Sequence, residues 1–145
     1  MIKHFIDAWD KNSGKLRNYF ENTKQEEYSQ SYEDLFGVVI DKVINGYNDV
    51  GFYSDTRTID YGDYQGTLIL AFANSTYQPS ENETFYTVVS YGSCSGCDTL
   101  QSISSYDKGL PSKEQVDDYM TLCLHMIQNI KCFGDINDNW MINKE

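Results

Sequence analysis

The chain has 145 residues, enough for one domain that buries about 68–70% of its unfolded surface without a metal or a disulfide. Its 22 acidic and 11 basic residues give a net charge of −11, which repels nucleic-acid phosphates and anionic membranes. The composition therefore argues against direct nucleic-acid binding and, with 40% hydrophobic residues, against a disordered acidic chain.

The N-terminal sequence MIKHFIDAWDKNSGK lacks the uninterrupted apolar run of a signal peptide or a membrane span. We therefore expect a cytoplasmic protein. Thiols stay reduced in that compartment, so the cysteines are expected to be free thiols or metal ligands rather than disulfides.

Residues 1–46 are predicted to be helical. Apolar residues follow helical spacing on both sides of KNSGK, and that interruption predicts a helix broken or bent near Gly14. A second helix is predicted to start at Ser31, whose spacing to Asp34 resembles a capping box, and to end by Gly46.

Residues 50–105 are predicted to form an antiparallel β-meander of about four strands. Four runs rich in β-branched and aromatic residues (VGFYS, TRTIDY, GTLILAFA and TFYTVVSY) are separated by turn-forming residues. GTLILAFA is apolar at both odd and even positions, which predicts a central strand.

A C-terminal helix is predicted over residues 112–132, because Ser112 and Gln115 have capping-box spacing and apolar residues follow at helical intervals. Residues 133–145 are predicted to be a tail that Trp140 and Met141 dock to the body. Together, the patterns predict a single α+β domain, with N-terminal helices and a C-terminal helix packed on the sheet.

The segment YGSCSGCD places Cys94 and Cys97 three positions apart at the end of a predicted strand. A zinc site there needs a second ligand pair from Cys123, His125 and Cys132. Cys123 shares a helix face with neither of the other two, whereas His125 and Cys132 are seven positions apart and roughly align, but Cys132 lies where the helix is expected to fray. A thioredoxin-like redox pair has the same local order of strand, C-x-x-C and helix, but it also needs later strands and a proline against the cysteines. We expect a tight turn and no cofactor, with zinc at Cys94 and Cys97 as the alternative and a thiol-redox enzyme as a further one.

No hydrolase, P-loop, zinc-protease or dinucleotide motif is present in the sequence, so we expect a protein that is not an enzyme. Asp55, Asp60 and Asp63 offer carboxylates for a divalent cation or for acid–base chemistry if they converge. Aspartates beside glycines at strand ends are more commonly turn formers, and we favour that interpretation.

Acidic and tyrosine residues are most frequent in the middle of the chain. Residues 36–110 contain nine acids, three bases and eight of the twelve tyrosines. Tyrosine suits interfaces because it buries a rigid ring while its hydroxyl stays polar. The predicted contact residues for a basic partner are Asp55, Asp60, Asp63, Tyr61, Tyr64, Glu81, Glu83 and Asp98.

Three segments, IDYGDYQGTLILAF, VVSYGSCSGCDTLQSI and LPSKEQVDDYMTLCLHMIQNIK, carry a resemblance to a known group. Between about residues 59 and 131 the chain resembles a family of small, uncharacterised bacteriophage-encoded proteins that share a Y-G-S-C-S-G-C-D-T-L-Q core. The resemblance implies a phage context and supplies no catalytic residues.

In that context, carboxylates on a rigid face attract the lysines and arginines that bind nucleic-acid phosphates. The sequence therefore predicts a protein that binds and inhibits a host nucleic-acid-handling or defence protein, of the anti-CRISPR or anti-restriction type, by nucleic-acid mimicry. The partner is expected to present a basic, nucleic-acid-binding surface.

Overall fold

The computed structural model describes residues 2–45, 57–62, 66–73, 84–92, 98–104 and 108–132; residues 2 and 57–62 are described by their backbone alone. This part of the chain is α+β, as the sequence predicts, with helices and an antiparallel sheet. None of its helices combines the length and the apolar character that a membrane span needs.

The first helix, α1 (Ile2–Asn22), runs through Gly14 without interruption, so the predicted break there is wrong. A glycine inside a helix costs only about 1 kcal/mol relative to alanine. The burial of one face of α1 outweighs that cost. Four of its apolar side chains are fully buried: Phe5, Ala8, Leu16 and Phe20.

The second helix, α2 (Tyr32–Val39), begins where the sequence predicts. The Ser31 hydroxyl oxygen accepts a hydrogen bond from the Asp34 backbone N–H at 3.0 Å, which makes Ser31 the N-cap. A π-helical turn (Ile40–Ile44) continues α2, and a short 3₁₀ turn (Gln25–Glu27) lies between α1 and α2.

The sheet has the strand order β1-β2-β3-β4, with all neighbours antiparallel. Three strands form the meander, and the middle one pairs on both sides, which confirms the predicted central strand. The fourth strand has two residues and follows the last helix, a position where none was predicted. The predicted strand VGFYS lies outside the described residues. The bounds are β1 (Arg57–Gly62), β2 (Gly66–Ala73), β3 (Thr84–Tyr91) and β4 (Lys131–Cys132).

The strand register assigns residues to two faces of the sheet, because side chains alternate along each strand. On the inner face, Leu70 lies opposite Thr87 and Phe72 lies opposite Phe85, and all four side chains are buried. On the outer face Ile69 lies opposite Val88. The Phe5 ring of α1 meets Phe72 and Phe85 edge-on, so α1 packs on the inner face.

Two helices follow β3. The first, α3 (Thr99–Ser104), falls inside the range predicted to be sheet. The second, α4 (Lys113–Gln128), starts with the predicted capping box of Ser112 and Gln115. It ends earlier than predicted because Lys131 and Cys132 leave the helix to pair with β3.

A second aromatic cluster lies away from the sheet, where α1, the 3₁₀ turn and α4 meet. The Tyr28 ring lies 4.8 Å from the Phe20 ring and 5.2 Å from the Tyr119 ring, measured between centroids. The Tyr119 hydroxyl donates to the Gln25 side-chain oxygen at 2.7 Å. The Tyr28 hydroxyl is buried, and no described residue forms a hydrogen bond with it.

Candidate functional site

The most highly organised polar site in the described chain is built around Asp98, at the start of α3. Its side chain is buried and its two carboxyl oxygens accept three hydrogen bonds. The donors are the Tyr32 hydroxyl at 2.9 Å, the Gly92 backbone N–H at 2.8 Å and the Gln101 backbone N–H at 3.1 Å. Asp98 therefore caps α3 and ties both α2 and the end of β3 to it.

Tyr32 completes this network from the opposite side. Its hydroxyl oxygen accepts the Leu100 backbone N–H at 3.2 Å while its proton goes to Asp98. Burial, reinforced by the neighbouring Asp98, raises the pKa of Tyr32, so the phenol keeps the proton that it donates. The Tyr32 hydroxyl and both Asp98 carboxyl oxygens have hydrogen-bond partners, and buried polar side chains that are paired in this way help to stabilise a fold.

The same residues close the ends of the C-x-x-C segment. Gly92 precedes it and Asp98 follows it, and the Gly92 N–H bonds directly to the Asp98 carboxyl group. The Gln101 side-chain amide also donates to the Gly92 carbonyl oxygen at 3.4 Å. Residues 93–97, with Cys94 and Cys97, lie between these points and outside the described residues.

A shallow cavity of about 240 Å³ opens beside the Asp98 network. The Tyr32 and Tyr91 side chains and the apolar Leu68 and Leu100 form part of its lining. Ser29, Gln30 and Ser31 supply neutral polar groups. The carboxyl oxygens of Asp98 are already hydrogen-bonded to other parts of the fold. The cavity is therefore a surface recess beside a network that stabilises the fold.

The residues considered as a second ligand pair for zinc differ in their exposure. Cys123 is fully buried, Cys132 is buried, and His125 on α4 is exposed. Burial raises the pKa of the Cys123 thiol, which opposes the thiolate that a metal requires. Within the described ranges, no three Cys, His, Asp or Glu side chains are grouped as metal ligands. The predicted ligands Cys94 and Cys97 lie outside those ranges.

Asp98 is also the one predicted partner-contact residue whose side chain the structure describes. Only 5% of it is exposed, so the carboxyl group works inside the fold and the prediction of a surface contact at this position is wrong. Nothing in the sequence pattern shows this, because its partner Tyr32 lies 66 positions away. The D-T-L-Q spacing, with a cap residue three positions before a glutamine, is the local signal for the helix start at Asp98.

Of the seven remaining predicted contact residues, the structure describes the backbone of two. Asp60 and Tyr61 are consecutive in β1 and take opposite face positions, since Asp60 pairs with Leu68 and Tyr61 with Thr67. Five others lie outside the described residues: Asp55, Asp63, Tyr64, Glu81 and Glu83. Along the chain, Asp55 precedes β1, Asp63 and Tyr64 fall between β1 and β2, and Glu81 and Glu83 fall between β2 and β3.

The negative charge is unevenly distributed between the described and the remaining residues. The described ranges contain 13 acids and 10 bases, whereas the rest of the chain contains nine acids and one base. The described ranges therefore carry a net charge of −3, and the remaining segments carry −8. The acidic character of the protein comes mainly from the segments between and after the elements.

No protein-family model, no curated protein and no solved structure matches this chain.

Proposed function

We propose that this chain is a small acidic phage protein that binds the basic, nucleic-acid-binding surface of a host protein and inhibits it. The partner class is a nucleic-acid-handling or defence protein, such as a CRISPR nuclease or a restriction enzyme. The proposed activity is binding without catalysis. The phage context comes from the resemblance of the Y-G-S-C-S-G-C-D-T-L-Q core.

The observation that supports this proposal is the connectivity at one end of the sheet. Arg57 pairs with Ala71, and Ala73 pairs with Thr84, so the start of β1, the end of β2 and the start of β3 share that end. The segments 46–56 and 74–83 join the sheet there. Between them they contain four acids, three tyrosines and no base.

Such a combination suits a basic partner for two physical reasons. Carboxylates tethered to one end of a rigid sheet attract the lysines and arginines that hold phosphates, which speeds encounter and makes binding sensitive to salt. Tyrosine adds a large contact area with little loss of side-chain entropy. The proposed contact residues are Asp55, Glu81 and Glu83 at this end, with Asp60, Tyr61, Asp63 and Tyr64 as the remaining candidates.

The test uses purified protein in DNA-cleavage assays with a panel of purified CRISPR nucleases and restriction enzymes. We expect inhibition of at least one enzyme, with an affinity that falls steeply as salt rises. In the variant Asp55→Asn/Glu81→Gln/Glu83→Gln, we expect the affinity to fall by about tenfold or more, the size that losing one or two desolvated charge contacts produces.

The matched control removes three acids from the helices: Asp10→Asn/Glu21→Gln/Asp118→Asn. These three side chains are exposed, and the variant has the same net charge as the first. Equal loss of affinity in both variants would indicate a general charge effect and would overturn the proposed site. Absence of inhibition across the panel, together with host binding that is insensitive to salt, would overturn the proposed function.

A further inference from the structure

Strand β3 has an open edge between two points at which its backbone is paired. The strand pairs with β2 along its whole length, and β4 covers the opposite edge only at Phe85 and Tyr86. Just beyond the strand, the Gly92 backbone N–H donates to the Asp98 carboxyl group. For residues 87–90, the described part of the chain forms no hydrogen bond with the backbone except through β2.

The geometry of an antiparallel strand makes this edge suitable for pairing with another strand. Every second residue of such a strand directs both its N–H and its C=O to the same side. Two alternate members of residues 87–90 therefore direct these groups away from β2. Strand β4 does not extend to meet them, because the Ile130 N–H donates to the Ile127 carbonyl oxygen at the end of α4. An edge of this kind is a template for a strand from another chain.

A cavity of about 170 Å³ lies along the open edge. Its lining includes Val88 and Ser90, which belong to the outer face of β3, and Val89, which belongs to the inner face. A space that contacts side chains of both faces of one strand reaches across the edge of that strand. The cavity therefore lies where a further strand would run.

Helix α4 also lines this cavity and sets its chemical character. The helix contributes Leu122, His125 and Met126, and the Thr87 hydroxyl donates to the Met126 carbonyl oxygen at 2.7 Å, which ties the helix to the strand. None of the described lining residues is Asp, Glu, Lys or Arg, although the chain has a net charge of −11. An aliphatic side chain suits this space better than a charged one, which would lose its water without gaining an opposite charge.

We propose that the open edge of β3 binds an extended segment of a partner protein, which adds to the sheet as a short strand beside residues 87–90. The backbone of the segment pairs with β3, and one aliphatic side chain enters the cavity between β3 and α4. The added strand also covers Val88, which is 40% exposed. A second copy of the chain is a poorer occupant, because two copies with a charge of −11 repel each other. The inference does not rest on the function proposed above.

The test measures amide hydrogen exchange in the full chain by ¹⁵N–¹H NMR spectroscopy. The probes are acetylated and amidated pentapeptides of the sequence Thr-Ser-X-Ser-Thr, in which X is valine, isoleucine or leucine. We expect at least one of them to bind saturably at or below millimolar concentration. We expect the bound peptide to slow the exchange of alternate amides, either those of Val88 and Ser90 or those of Thr87 and Val89.

A first pair of controls changes the peptide and leaves the protein as it is. N-methylation of X and N-methylation of the serine after it remove N–H groups that point to opposite edges of an added strand. We expect one of these two peptides to bind about fivefold or more weakly, because it loses a hydrogen bond to β3, and the other to bind as the parent peptide does.

A second pair of controls changes α4. His125→Trp places a large ring at the cavity and is expected to weaken binding by about tenfold or more, the loss that follows when one aliphatic side chain is no longer buried. Gln128→Trp introduces the same ring on the same helix, at an exposed position outside the described lining of the cavity. Its binding is expected to equal that of the parent protein.

Three results would overturn the proposal. Absence of saturable binding by every peptide would show that the edge does not accept a strand. Binding that leaves the amides of residues 87–90 unchanged, or that both tryptophan substitutions weaken equally, would place the peptides elsewhere. Slow exchange of these amides in the free protein would show that the edge is already covered, by a second copy if the protection increases with protein concentration and by the chain itself if it does not.

Discussion

Asp98 shows how one side chain organises the junction of three elements. Its carboxyl oxygens accept from α2 through Tyr32, from the end of β3 through Gly92, and from the first turn of α3 through Gln101. A carboxyl group suits this position because its two oxygens offer about four acceptor sites and no donor when it is ionised. An amide offers one acceptor oxygen and two donor hydrogens in the same shape.

The first prediction concerns the substitution Asp98→Asn. We expect the free energy of unfolding to fall by about 1–3 kcal/mol, because at least one buried N–H or O–H donor then faces an NH₂ group and loses its acceptor. Urea denaturation followed by circular dichroism measures this change. Asp118→Asn on the exposed side of α4 is the control and is expected to change stability by less than about 0.5 kcal/mol.

A double-mutant cycle with Tyr32→Phe tests whether the Asp98 network acts as a unit. The Tyr32 hydroxyl both donates to Asp98 and accepts from Leu100, so the two substitutions should not be additive. Additive effects would mean that the two side chains stabilise the fold independently. If the Asp98→Asn variant is as stable as the parent, neither the negative charge nor the second carboxyl oxygen of Asp98 is needed for stability.

At the scale of elements, Gly14 and Gly109 in the helical part of the chain have opposite roles. Gly14 is exposed in the middle of α1, and an added Cβ meets no atom within 4 Å. Gly109, before α4, has a φ of +86°, and its N–H and C=O both bond to the 3₁₀ turn. The first site suits alanine, and the second needs a residue without a side chain.

The second prediction follows from this contrast. Gly14→Ala is expected to raise the free energy of unfolding by about 0.5–1 kcal/mol, and Gly109→Ala is expected to lower it by about 1–2 kcal/mol. Thermal and urea unfolding of both variants and of the parent show whether each substitution raises or lowers the free energy of unfolding. A destabilising Gly14→Ala would show that the space above α1 is filled by another part of the chain.

Helices were largely predictable from the sequence because their signals are local. Ser31, Ser112 and Gln115 act at short range, and the structure places both helix starts at the predicted positions. The end of α4 was missed because pairing of Cys132 with Phe85 is a contact across 47 positions. The helix α1 continues through Gly14 because the small local cost of a glycine is outweighed by burial of the whole helix, which a local pattern does not show.

The candidate site was much less predictable than the fold. The acidic contact residues were predicted from composition. Composition does not distinguish a carboxylate on the surface from a buried carboxylate that caps a helix, such as Asp98. That distinction depends on Tyr32, which a different helix supplies. The cysteines of the C-x-x-C segment form a recognisable chemical motif, whereas the hydrogen bonds that join Gly92, Asp98 and Gln101 around it have no comparable signature in the sequence.

At the scale of the whole molecule, buried acidic groups of high pKa link folding to pH. Burial raises the pKa values of the Cys123 thiol and of the Tyr28 and Tyr32 phenols, so the folded protein keeps these groups protonated. The unfolded chain releases the same protons near pH 8.5 for cysteine and near pH 10 for tyrosine, as typical values of about those sizes indicate. Above these values the folded state binds more protons than the unfolded state, and stability falls as pH rises.

The third prediction is therefore an alkaline loss of stability in two stages. The contribution of the buried thiol and phenols to the free energy of unfolding is fully present below about pH 8. It declines above about pH 8.5, by up to about 1.4 kcal/mol per pH unit for the thiol alone. Above about pH 10 the decline steepens as the tyrosines contribute. Urea denaturation at a series of pH values from 7 to 11, under reducing conditions, measures both stages.

Two substitutions separate the stages. Cys123→Ala lowers stability at every pH because it leaves a small cavity, but it should abolish the decline between about pH 8.5 and pH 10. Tyr28→Phe should leave that first decline intact and weaken the second, and it removes a buried hydroxyl with no partner among the described residues. A first stage that persists in Cys123→Ala would assign it to another thiol. Each substitution changes the slope of the free energy of unfolding against pH in one stage. A loss of stability that is the same at every pH does not change that slope, so it does not obscure the result.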